Sequence, residues 1–207
     1  HRARTIRPMP ETMEAVPPEF ALALRELGLA GSDALGGVRL EGGVSSDIWR
    51  IDTPHGPICA KRALPKLRVA ADWRAPIERN LYEARWMQVA EAAVPGSAPR
   101  VLGQHPALGV LVMSYLPPVD HALWKEQLRL GHADTATARA VGRTLARIHA
   151  YSAAHAELAA RFATDSIFFD IRLEPYLVAT AQKHPDLAPA LHALVARTQA
   201  QKHVLVH

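Results

Sequence analysis

Val38-Arg39-Leu40-Glu41-Gly42-Gly43-Val44-Ser45-Ser46-Asp47-Ile48-Trp49-Arg50-Ile51-Asp52-Thr53-Pro54-His55-Gly56-Pro57-Ile58-Cys59-Ala60-Lys61 is the stretch on which the fold turns. Val38-Arg39-Leu40 reads as a short strand that Gly42-Gly43 interrupts. Ile48-Trp49-Arg50-Ile51 resumes it, Thr53-Pro54-His55-Gly56 turns the chain, and Ile58-Cys59-Ala60-Lys61 returns as a third strand. Short β-rich runs separated by turn residues predict an antiparallel meander.

Working outward, Ile77 to Ala92 carries helical spacing through Ile77, Leu81, Ala84 and Met87 or Gln88, and Pro95-Gly96 stops it. Arg100 to His105 and Val110 to Tyr115 read as two further strands joined by Pro106-Ala107-Leu108-Gly109. The second is apolar at nearly every position, which predicts burial on both faces. Beyond Pro117-Pro118 strands almost cease. Ala138, Val141, Leu145 and Ile148 recur at helical spacing, as do Leu187, Leu191, Leu194 and Thr198, and Asp165 to Asp170 reads as an irregular link. Upstream, residues 1–16 read as a loose lead-in. Pro17-Pro18 then opens a helix with Phe20, Leu24 and Leu27 on one face, ended by Gly28 and Gly31.

Strands and helices are thus segregated, which argues for an α+β architecture in two lobes. The division is a lead-in and helix over 1–35, a five-stranded antiparallel lobe with one inserted helix over 36–116, and a helical lobe over 117–207. Val204-Leu205-Val206-His207 reads as a strand cut short, and the chain opens on His1 rather than Met. Both ends are therefore read as those of a fragment.

Four features carry chemistry by their order. In Gly42-Gly43-Val44-Ser45-Ser46, glycines let a backbone approach an anion closely while hydroxyls and free N–H groups contact phosphate oxygens. Lys61 ends an apolar strand, where its ammonium could neutralise phosphates. Glu83 follows 22 residues later in a helical segment, placed to pair with Lys61. Met113-Ser114-Tyr115-Leu116 runs into the lobe boundary and offers backbone groups and apolar faces to a flat heterocycle. Each alone has an ordinary structural reading: a hairpin, a surface Lys, a solvated Glu, a buried strand. Glycine loop, strand Lys, helix Glu and strand into a hinge is the arrangement of protein kinases and their relatives.

On these residues the chain resembles the aminoglycoside phosphotransferase and choline-kinase superfamily over about residues 36–207. Val141 to His149 is similar to the helix leading toward that family's active site. The resemblance implies a protein-kinase-like fold with an incomplete helical lobe, ATP as donor, Mg2+ as its ion, and a small hydroxyl compound as acceptor. It implies that Lys61 contacts the α- and β-phosphates, Glu83 holds Lys61, and Met113 to Leu116 receive the adenine. His207 would be the first residue of the catalytic loop, with the catalytic Asp and metal ligands expected after it, so no catalytic or metal-binding residue is assigned within the chain. A narrower likeness, to methylthioribose kinases, rests on Lys61 to Val69, Trp73, Glu78-Arg79 and Tyr115-Leu116-Pro117-Pro118. It makes Arg68 and Trp73 candidates for contact with substrate. The alternative to an enzyme is a catalytically silent nucleotide-binding regulatory module of the same fold.

Composition bounds the rest. With 49% apolar and 21% charged residues, this is a folding sequence rather than a disordered one. The net charge of +4 is dispersed among acidic neighbours, which argues against a nucleic-acid interface. No apolar stretch reaches the roughly 18 residues of a membrane span. Eleven histidines are scattered, so no zinc site is expected. Cys59 is the single cysteine, excluding an intrachain disulfide and fitting a reducing cytoplasm.

Overall fold

The computed structural model describes residues 12–40, 44–68 and 73–206. Its centre is an antiparallel sheet built from the meander. Strands β1 (Glu14–Ala15), β2 (Gly36–Arg39), β3 (Ser46–Thr53), β4 (Gly56–Ala63), β5 (Val101–His105) and β6 (Val110–Ser114) lie in the order β1-β2-β3-β4-β6-β5. The β3–β4 hairpin is the longest pairing, running from Ser46 opposite Ala63 to Thr53 opposite Gly56.

The sheet has six strands where the sequence predicts five. The sixth, β1, comes from the segment read as a loose lead-in: Glu14 and Ala15 pair with Gly37 and Gly36. Glu-Ala carries no strand signal. The edge of β2 supplies it, because an unpaired row of N–H and C=O groups accepts a short extended partner.

Helices cover both faces of the sheet. Helix α1 (Pro18–Glu26) buries Phe20, Ala23 and Leu24 against Trp49, Ile51, Ile58, Ala60, Val110 and Val112. Helix α2 (Arg79–Ala93) lies on the opposite face, where Ala84 meets Leu111 and Met113 with Cys59, Met87 and Val101 around them. This double cover is why Val110-Leu111-Val112-Met113 is continuously apolar and buried at all four positions.

After Ser114 the chain is helical: α3 (Trp124–Arg129), α4 (Thr135–Ala154), α5 (Asp165–Phe168), a π-helical stretch Phe169–Val178, α6 (Ala179–Lys183) and α7 (Ala188–Ala200). Two expectations need correction here. Asp165 to Asp170 is helical, not an irregular link. Asp165–Phe168 is one short α-helical turn, and Phe169 opens the π-helical stretch that contains Pro175; such a winding has no 3.6-residue apolar stripe to read. Val204 to Val206 forms no strand; Leu205 N–H instead donates to Ser152 Oγ at 2.9 Å. That segment lies beside a helix rather than a sheet edge, and a strand needs a ladder partner. His207 lies outside the described residues.

The helical stripes bury less than their spacing suggests. On α4 only Ile148 is fully covered, while Val141 stays 36% exposed; on α7 it is Val195, while Leu187 is half exposed.

Candidate functional site

Alternation along the strands sorts the sheet into two faces. Trp49, Ile51, Ile58 and Ala60 point into the α1 core. Their neighbours Ser46, Ile48, Cys59 and Lys61 therefore share the other face, the face of α2. The register sets Lys61 between Ile48 and Leu111, and Cys59 between Arg50 and Met113. This surface has apolar groups around a single ammonium.

Helix α2 holds Lys61 at both ends. Glu83 accepts from the Lys61 ammonium through both carboxylate oxygens, at 2.7 and 2.8 Å. One turn earlier, Asn80 Nδ2 donates to the Lys61 carbonyl at 3.2 Å and to the Gly109 carbonyl at 2.6 Å. Residues three and four apart share a helix face, so Asn80, Glu83 and Ala84 all reach the sheet together. The pair keeps 20% and 32% of its side-chain surfaces in solvent. A partly exposed ion pair contributes on the order of 1 kcal/mol or less, so its main consequence is direction: the ammonium is aimed and still accessible.

The backbone at Val44 and Ser45 is tied to the exit of β4. Leu64 N–H donates to the Ser45 carbonyl at 3.0 Å and Arg68 N–H to the Val44 carbonyl at 2.8 Å. Ser46 is buried on the Lys61 face. Gly42 and Gly43 lie outside the described residues. Asp47, next in sequence, points to the opposite side and gathers Arg39 Nε at 2.9 Å, Arg68 Nη2 at 3.0 Å and Trp49 Nε1 at 3.2 Å. Burial raises the Asp47 carboxyl, but hydrogen bonds from Arg68, Trp49 and Arg39 outweigh it and hold it below its ordinary value.

The hinge residues continue β6 out of the sheet. Met113 is buried beneath α2, Ser114 is the last ladder residue opposite Ile58, and its Oγ accepts from Arg100 N–H at 3.0 Å. Tyr115 is partly buried beneath the Arg50 guanidinium, 5.9 Å from the ring centroid, and Leu116 is 41% exposed. Among the described residues, neither Tyr115 nor Leu116 N–H reaches a backbone acceptor.

The structure brings Ser46, Lys61, Glu83 and Met113 onto one surface. It does not bring Arg68 and Trp73 together. Arg68 is engaged by Asp47, whereas Trp73 donates from Nε1 to the Asp170 carbonyl at 3.0 Å and stands edge-on to Tyr176, joining the sheet lobe to the helical one. Sequence reasoning missed Asn80 and Asp47, and it quoted Arg79 without a role. Their signals were adjacency alone: Asn80 stands three residues before Glu83, and Asp47 follows Ser46.

Two concavities lie elsewhere. One of about 50 Å³ sits behind the start of α2, lined by Asn80, Gln104 and His105. One of about 360 Å³ is lined by Trp124, His132 and Asp134. Lys61 and Glu83 line neither of these two. Among the described residues no three His, Cys, Asp or Glu side chains converge as a metal site requires. His203 stands four residues before His207 in the sequence; His203 lies in no helix, and His207 lies outside the described residues.

The family model for the phosphotransferase enzyme family matches residues 36–207. The chain belongs to the phosphotransferase enzyme family. The match starts at β2 and so includes every strand and helix that builds the Lys61 surface, while β1 and α1 lie before it. No curated protein matches the chain. Family membership fits the α+β, kinase-like arrangement of sheet and helices.

Proposed function

We propose that this phosphotransferase uses ATP, held on the Lys61 surface, as donor to a hydroxyl of a small metabolite or sugar-like compound. The observation that carries the reading is the two-oxygen grip of Glu83 on an accessible Lys61 ammonium. Phosphoryl transfer depends chiefly on positioning and on neutralising charge, and a directed ammonium supplies both for the α- and β-phosphates. Ile48 and Cys59 offer an apolar wall to adenine beside it, with the N–H groups of Tyr115 and Leu116, which reach no backbone acceptor among the described residues, at its edge. Bound ATP would supply the γ-phosphoryl group. Mg2+ is proposed as the ion that accompanies the nucleotide phosphates.

The acceptor is read from resemblance alone. The likeness to methylthioribose kinases makes a sugar hydroxyl the first acceptor to try. No helix among the described residues is long and apolar enough to cross a membrane, and cytoplasmic residence is part of the proposal.

Titration calorimetry with ATP and with adenosine tests the site. Lys61→Ala should weaken ATP about 10- to 100-fold, as expected for loss of charge-assisted contacts, and leave adenosine nearly unchanged. Glu83→Gln should weaken ATP by a smaller factor. Equal ATP affinity in wild type and Lys61→Ala would sink the assignment.

A further inference from the structure

We infer that Arg79 is a positioning residue for the nucleotide phosphates, setting the backbone at Val44–Ser46 relative to Lys61. The inference rests on the nucleotide reading above.

Arg79 is the first residue of α2 and is partly buried. Burial lowers its pKa, outweighing the opposing pull of Glu83 and Glu78 nearby. Yet its hydrogen bonds go to main-chain carbonyls. Nη1 donates to Ala75 at 3.0 Å and Pro76 at 2.7 Å, and Nη2 donates to Ser45 at 2.5 Å and Leu64 at 2.7 Å. One planar fork thus joins three segments: the entry to β3, the exit of β4, and the turn that starts α2.

The geometry has a direct consequence for the site. In a planar trans peptide the C=O of one residue and the N–H of the next point in opposite directions. Holding the Ser45 carbonyl on Arg79 therefore fixes the way the Ser46 N–H faces. The Ser46 side chain stands on the same sheet face as Lys61. One turn further along α2, Glu83 aims the Lys61 ammonium. A single helix thus sets both the Ser46 N–H, through the Ser45 carbonyl, and the Lys61 ammonium. A lysine cannot replace this fork, because an ammonium presents its three donors from one point.

Arg79→Lys keeps the charge and the stem and removes the fork. Three readouts on the 207-residue chain test the role: ATP affinity, adenosine affinity, and amide hydrogen exchange. Arg79→Lys should lose about tenfold in ATP affinity and nothing in adenosine affinity, with faster exchange confined to the amides of residues 44–46 and 64. Arg85→Lys serves as control, since Arg85 donates to the Arg161 carbonyl away from this surface; it should leave both affinities unchanged. Equal losses of ATP and adenosine affinity in Arg79→Lys would make the residue merely structural and overturn the inference. So would unchanged ATP affinity. A wild-type chain that binds no ATP overturns the nucleotide reading itself, a result separable from either, because it appears before any substitution.

Discussion

Cys59 shows how much a single side chain reports on its surroundings. It stands two residues before Lys61 on the same face, packed against Ala84, Leu111 and Met113. Burial pushes its thiol up to about 11; Lys61 pulls it down and Glu83 pushes it up. Thiolate is the reactive form, so at pH 8 alkylation by iodoacetamide should run about 100-fold slower in the folded chain than in urea. Equal rates would mean the thiol is not buried as described. The sign for stability follows from the raised value. Folding favours the neutral thiol, so this contribution is intact below the unfolded value near 9 and is lost as pH rises toward 11. Asp47 runs the other way: its lowered value makes its contribution present above about pH 4 and lost as pH falls further. None of this was legible in the residue types. Lys61 and Glu83 were readable because their order and spacing carry a known geometry. Asn80 and Asp47 were not, because an amide or carboxylate gains its role only from the carbonyls and guanidinia that folding brings to it.

At the scale of elements, the strands of the meander and the helices α1, α2 and α7 follow from periodicity and breakers, with boundaries within a residue or two, while the stripe at 138–148 marks only the middle of α4. What failed was everything lacking a local pattern: β1, formed by edge pairing, and the π-helical stretch, wound around Pro175. The close approach of β2 to β3 also explains a glycine. A Cβ on Gly37 would lie 2.6 Å from the Arg50 carbonyl and 3.1 Å from Val16 Cγ2. The backbones of β2 and β3 cannot separate without breaking the ladder, so Gly37→Ala should cost about 1–3 kcal/mol in urea unfolding. Gly31→Ala, where nothing stands within 4 Å, should change the midpoint little. Equal effects from the two substitutions would contradict the close approach at Gly37.

Across the whole molecule, the buried clusters belong to the sheet and its two helices, while the helical lobe contributes Ile148, Leu158, Ile167, Leu173 and Val195 as separated positions. Leu111 is fully buried at the centre, on the face of α2 and opposite Lys61. Leu111→Ala should therefore cost about 2–5 kcal/mol and loosen α2 with it. A urea midpoint unchanged by that substitution would place the core elsewhere. The lobes meet through contacts distant in sequence, such as Trp73 to Asp170, 97 residues apart. By itself the sequence determined the meander, the helical periodicities, the α+β class and the order of Gly42-Gly43, Lys61, Glu83 and Met113, because alternation, breakers and spacing are local properties. Only the tertiary structure decided that α2 lies over Lys61 rather than away from it, that Arg79 and Asn80 bind carbonyls instead of facing water, and that Trp73 bridges the lobes. Those outcomes depend on which distant backbone groups need a donor once the sheet has closed, and no local pattern encodes that need.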